Sequence, residues 1–204
     1  MIRTPLAAAV MLGLLAVSHP AAARPLGTLQ FEPCTLAGSG AAGAVEAQCT
    51  TFAVPENRAD PDGRKIELAI AWVPTDSEAE PDPIFMLAGG PGQGARDSFP
   101  SVAPGFRDVM RTRNVILVDQ RGTGDSNPLA CRDAEGNNAF GDPSDDDAEA
   151  AARFAEGCLA ELSKTSDVRH YTTTDAVADL DADRPPLSHE RHNVMAGQCR
   201  TSLE

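Results

Sequence analysis

The sequence predicts an α/β fold in which an N-terminal β-hairpin leads into a parallel sheet with crossover helices. Three observations carry this. Phe85-Met86-Leu87-Ala88-Gly89-Gly90-Pro91-Gly92 is a short apolar run that ends abruptly in glycines. Val115-Ile116-Leu117-Val118-Asp119-Gln120-Arg121-Gly122-Thr123-Gly124-Asp125-Ser126 does the same about thirty residues later. Such runs are the signature of buried parallel strands whose carboxyl ends open into functional loops. Third, Lys65 to Val73 alternates, with Ile66, Leu68, Ile70 and Trp72 on one face, which is the pattern of a half-buried strand.

The elements follow in order. Residues 1–23 read as a secretory signal peptide: Arg3 is the positive start, Leu6 to Val17 is apolar, and Ala21-Ala22-Ala23 offers small residues for cleavage. The run is short for a membrane span, although an uncleaved anchor is the alternative. Residues 24–195 are expected to form the domain. Arg24 to Gln48 is expected to be irregular. Cys49 to Val54 is a candidate strand that pairs with Lys65 to Val73, across a turn rich in Asp, Pro and Gly. Pro74 to Pro83 is a polar connector. Ile84 to Leu87 and Val115 to Val118 are the buried strands, with a short helix expected over Phe106 to Arg113. Glu149 to Leu162 is helical, Thr172-Thr173-Thr174-Asp175 caps a helix reaching about Leu187, and Asn193-Val194-Met195 begins a further strand.

Composition limits the function. The 204 residues carry a net charge of −13, and 42% are hydrophobic. That is enough for one ordinary core. The acidic balance argues against nucleic acid or anionic lipid, since phosphate recognition needs clustered Lys and Arg. Abundant Ala, with Arg far above Lys, suggests a GC-rich bacterial coding sequence. Cys34 and Cys49 flank a flexible Gly/Ala segment, and Cys131 and Cys158 flank an acidic one. Disulfides Cys34–Cys49 and Cys131–Cys158 would suit an oxidising compartment, with buried free thiols as the alternative. Cys199 is left over. No spacing suggests zinc, and no metal or other cofactor is expected. Asp142, Asp145, Asp146 and Asp147 lack the spaced ligands of a calcium loop and read as a solvated surface.

These motifs resemble the secreted branch of the α/β-hydrolase superfamily that contains proline iminopeptidases and bacterial tripeptidyl aminopeptidases. Gly89-Gly90-Pro91-Gly92 resembles that family's HGGPG loop, with Ala88 in place of the His. Asp119 to Ser126 resembles its DQRGxGxS segment. Tyr171-Thr172-Thr173 with Ala176 to Asp181 resembles the helix before the nucleophile strand. The resemblance implies an exported serine hydrolase, periplasmic or extracellular, that acts on a peptide or a small ester. It implies no nucleic-acid partner and no membrane contact after signal cleavage. It makes Gly90, then Gly89, the candidate backbone donor of an oxyanion hole. An esterase or lipase, or a non-catalytic exported binding protein, shares these features.

The nucleophile is missing. The superfamily places Ser in G-x-S-x-G, followed by the acid and then His. No G-x-S-x-G occurs in this sequence. Ser126 belongs to the wrong loop. Aligned in register, His192 to Met195 fall on the nucleophile strand, and the tail of residues 196–204 begins at the elbow. Gln198 then occupies the nucleophile position, flanked by Ala196 and Arg200 instead of glycines. Asp183, Pro185 and Pro186 are expected to damage the preceding helix. His170, His189 and His192 lie upstream of the elbow and cannot be the family's His. Cys199 sits one position late, without a base. The resemblance therefore implies the N-terminal half of an α/β-hydrolase fold, incomplete and inactive, with an open apolar sheet edge.

Overall fold

The computed structural model describes residues 23–38, 43–75, 77–89, 92–132, 148–187 and 193–196. Seven strands form one mixed sheet: β1 (Arg24–Leu26), β2 (Leu29–Ala37), β3 (Ala44–Pro55), β4 (Lys65–Val73), β5 (Ile84–Leu87), β6 (Val115–Val118) and β7 (Asn193–Ala196). Their spatial order is β1-β2-β3-β4-β6-β5-β7. The sheet is antiparallel from β1 through β4 to β6. Strands β6, β5 and β7 run parallel to one another. Among the described residues three α-helices accompany them: α1 (Ala95–Val102), α2 (Ala148–Leu162) and α3 (Thr173–Leu187).

The two glycine-terminated runs are β5 and β6, buried and parallel as expected. The β3–β4 hairpin forms, with Pro55 opposite Lys65 and Gln48 opposite Trp72. Strand β4 is half-buried only at its start, because from Leu68 onward both of its faces are covered.

The two covers come from different helices. Ala95, Phe99 and Phe106 lie on one face with Met86, Leu117 and Val73. Leu180 and Leu187 of α3 lie on the other with Phe31, Phe85, Ile116 and Trp72. A central sheet with both faces covered needs continuous apolar strands, which is why β5 and β6 do not alternate.

Three expectations are corrected. Arg24 to Gln48 is not irregular: β1, β2 and the first half of β3 occupy it. Pro33 hid this. It is tolerated because β1 pairs only with Leu29 to Phe31, so β2 has an open outer edge beyond that point. The crossover helix is Ala95–Val102, and Phe106 to Arg113 holds only the end of one 3₁₀ turn, Ala103–Phe106, and a second, Val109–Arg111. Helix α3 runs through Pro185 and Pro186 to Leu187. Both prolines fall in its last turn. There the Gly27-Thr28 turn packs against it, and the Thr28 N–H donates to the Pro186 carbonyl at 2.7 Å. Gly27 has φ +60, and any side chain there would run into that carbonyl.

Both expected disulfides form. Cys34–Cys49 links β2 to β3 with Cα atoms 5.8 Å apart, and Cys131–Cys158 ties the start of the acidic segment to α2 with Cα atoms 5.5 Å apart. They fit an extracellular or periplasmic setting. Among the described residues no helix is long and apolar enough to cross a membrane. The expected signal peptide, the Asp142 to Asp147 cluster, His189, His192, Gln198, Cys199 and Arg200 lie outside the described residues. Replacing Cys34 and Cys49 together with serine should lower the urea-derived unfolding free energy by about 3 kcal/mol, the loop-entropy value for this span.

Candidate functional site

Because β5, β6 and β7 are parallel, their carboxyl ends share one edge of the sheet. From β5 the chain moves to β6 on one side and later returns to β7 on the other. Loops at such a switch point diverge and leave a crevice, the usual ligand site of an α/β sheet. A cleft of about 530 Å³ opens at this carboxyl edge, between the loop after β5, α1 and Gly124 of the loop after β6. Ala88, Gly89, Gly92 and Gly94 of the loop after β5 line it, with Ser98 and Ser101 of α1.

The loop is held from a distance. Asp119, at the end of β6, is 1% exposed. Its Oδ1 accepts the Arg96 N–H at 3.0 Å, and its Oδ2 accepts the Asp125 N–H at 3.1 Å. One carboxylate thus caps the first turn of α1 and the loop after β6 together. Burial raises its pKa, and the two N–H bonds oppose that rise. The Arg96 guanidinium reaches Asp125 at 2.7 Å and lies 3.9 Å from Asp119.

The glycines make this approach possible. A Cβ on Gly94 would stand 2.9 Å from the Asp119 carboxylate, and one on Gly124 would press on the same group. Gly124 also has φ +49, and Gly92 has φ +79 with open space around it. Gly124→Ala should therefore cost about 1–3 kcal/mol of stability. Gly92→Ala, strained but unclashed, should cost less in the same thermal-unfolding series.

The remainder of the Asp119 to Ser126 segment is a brace. Ser126 is fully buried, and its hydroxyl donates to the Asp119 carbonyl at 2.6 Å and accepts the Ala69 N–H at 2.8 Å. Arg121 holds both oxygens of Asp179 on α3, at 2.6 and 2.7 Å. It also donates to the carbonyls of Glu56, His170 and Pro55. Arg58 pairs with Asp179 from the hairpin side. The Glu56 carboxylate accepts from the Asp167 N–H and the Tyr171 hydroxyl, each at 2.9 Å. Helix α3 starts where the Thr172 hydroxyl accepts the Asp175 N–H at 3.2 Å.

The site residues expected from sequence divide accordingly. Gly89 lines the cleft, while Gly90 and Gln198 fall outside the described residues. In β7, Ala196 is level with Leu87, the last residue of β5. His170 sits in the turn with Asp167, at 3.6 Å. Among the described residues no group of His, Cys, Asp and Glu is arranged to hold a metal ion. Asp97 is the ionisable lining residue, among the described residues, that sequence reasoning missed. Its helix was expected further along the chain, so no pattern marked it. No protein-family model matches this chain, and no curated protein matches it.

Proposed function

We propose that this chain is an exported bacterial α/β-hydrolase of the serine aminopeptidase type in lineage, and that it does not hydrolyse substrate. The observation that carries the lineage is the glycine loop at the switch point, with β7 seated directly beside its strand. In a serine hydrolase one oxyanion donor follows the third strand of the sheet, and the other follows the nucleophile. Gly89 and Gly90 stand in the first of these positions. By the sequence alignment alone, Gln198 would fall at the nucleophile beside the second.

Gln198 supplies no attacking oxygen, and no G-x-S-x-G lies anywhere in the 204 residues. Half of an oxyanion hole cannot compensate. One donor is worth about 3 kcal/mol in the transition state, whereas losing the nucleophile of a triad costs on the order of a million-fold in rate. The two disulfides and the apolar N-terminal run support export.

The formed cleft favours a second use of the same scaffold, ligand binding without turnover. The lineage is tested by following backbone amide resonances while a small phosphonate monoester, a tetrahedral anion, is added. Saturable shifts centred on Gly89 and Gly90 are expected. Shifts absent from this loop would overturn the assignment.

A further inference from the structure

The two sulfurs of the Cys34–Cys49 disulfide stand in different surroundings. Cys34 is on β2, which among the described residues pairs with β1 only as far as Phe31, so the strand edge beside Cys34 is open. Cys49 is on β3, between β2 and β4, and the residue opposite it on β4 is the fully buried Ala71. Both cysteines are half-buried, whereas Cys131 of the other disulfide is buried. A cation also marks one sulfur. The Arg96 Nη2 donates to Cys49 Sγ at 3.7 Å. Asp125 and Asp119 draw on the other terminal nitrogen, Nη1, at 2.7 and 3.9 Å. The Arg96 Nε–H is shielded from water and has no hydrogen-bond partner among the described residues. The guanidinium therefore keeps donor capacity beside Cys49. A disulfide sulfur uses it weakly, and a thiolate would use it as a charge-assisted acceptor.

We infer that Cys34–Cys49 is a thiol-exchange site with a fixed direction: a small thiol attacks Cys34, and Cys49 leaves as a thiolate held by Arg96. The incoming thiolate bonds to Cys34 Sγ, the Sγ–Sγ bond breaks, and its electron pair leaves on Cys49 Sγ. One thiolate enters and one leaves, so the step needs no outside oxidant. Attack runs in line with the breaking bond, from the side away from the leaving sulfur. For Cys34 that is the side of the open edge of β2, and for Cys49 it is the covered side of β4. A neighbouring cation lowers the pKa of a thiol, and a thiol of lower pKa leaves faster. Access and leaving group select the same direction. The exchange needs neither the cleft nor a hydrolase lineage.

The test uses the purified, folded chain with Cys199 first blocked by alkylation. β-Mercaptoethanol is added briefly at mildly alkaline pH, the reaction is quenched with acid, the freed thiol is alkylated with a second reagent, and peptide mass spectrometry locates both groups. The mixed disulfide should sit on Cys34, with Cys49 freed, in about ten-fold excess over the reverse, and before Cys131–Cys158 opens. Arg96→Met should slow adduct formation about five-fold, and Arg96→Lys should keep most of the rate. Thermal unfolding checks that both variants fold. An Arg96 that only braces the structure would give the opposite sign, since its loss would loosen the site and speed exchange. Equal adducts on the two sulfurs, an excess on Cys49, exchange only in urea, or exchange in Arg96→Met as fast as in the wild type would overturn the inference.

Discussion

Arg121→Leu is expected to lower the unfolding free energy by about 3–5 kcal/mol, the loss seen when one partner of a buried pair is removed. Arg121 and Asp179 have side chains 1% and 3% exposed. The guanidinium does more than balance a charge. It is the donor for three backbone carbonyls, at Pro55, Glu56 and His170, which a leucine would leave unsatisfied. Asp179 would keep only Arg58, which is partly exposed. The pair also joins the loop after β6 to α3, the helix that leads towards β7. Replacing both residues by leucine should recover part of the loss, since two uncompensated polar groups cost more than an apolar contact. Urea unfolding of the single and double variants measures this. A single-variant loss below about 1 kcal/mol would place the pair among weak surface interactions.

The second large effect is on the pH dependence of stability. Burial pushes the Asp183 carboxyl up to about 8, and the negative charge of Asp179 adds to the rise. In the unfolded chain the same group ionises near 3.8. Between those values the folded state holds a proton that the unfolded state has lost. Stability must then fall as pH rises from about 4 to about 8, and level off above that, by at most about 1.4 kcal/mol per pH unit. Asp119 is shifted the same way by burial and adds to the slope. Asp183→Asn should therefore flatten the curve and raise the melting temperature near pH 8 more than near pH 5. A variant curve parallel to the wild-type curve would contradict the assignment.

What the sequence revealed and what it hid follow from one distinction. Strands β5 and β6 were legible because a buried parallel strand has to be apolar throughout and to end where its loop begins. The cap of α3 was legible because Thr172 and Asp175 are local. The start of α1 was not, because its N-terminal residue Gly94 offers no side-chain cap and the cap comes from Asp119, 23 residues away. Pro100 inside α1 further disguised it. The β1–β2 edge was masked by Pro33, which only an open strand edge allows. The glycine loop could be read as a site, but Asp97 could not, since nothing in its spacing tells a cleft carboxylate from an ordinary acid in a first helical turn.

Covalent labelling tests the central claim most directly. The purified chain is incubated with a fluorophosphonate probe, its intact mass is recorded, and hydrolysis of amino-terminal chromogenic peptides is followed in parallel. The proposed lineage without a nucleophile predicts no adduct and no peptide turnover above a heat-denatured control. A stoichiometric adduct accompanied by turnover would mean that the chain carries a working nucleophile, and the account would be wrong.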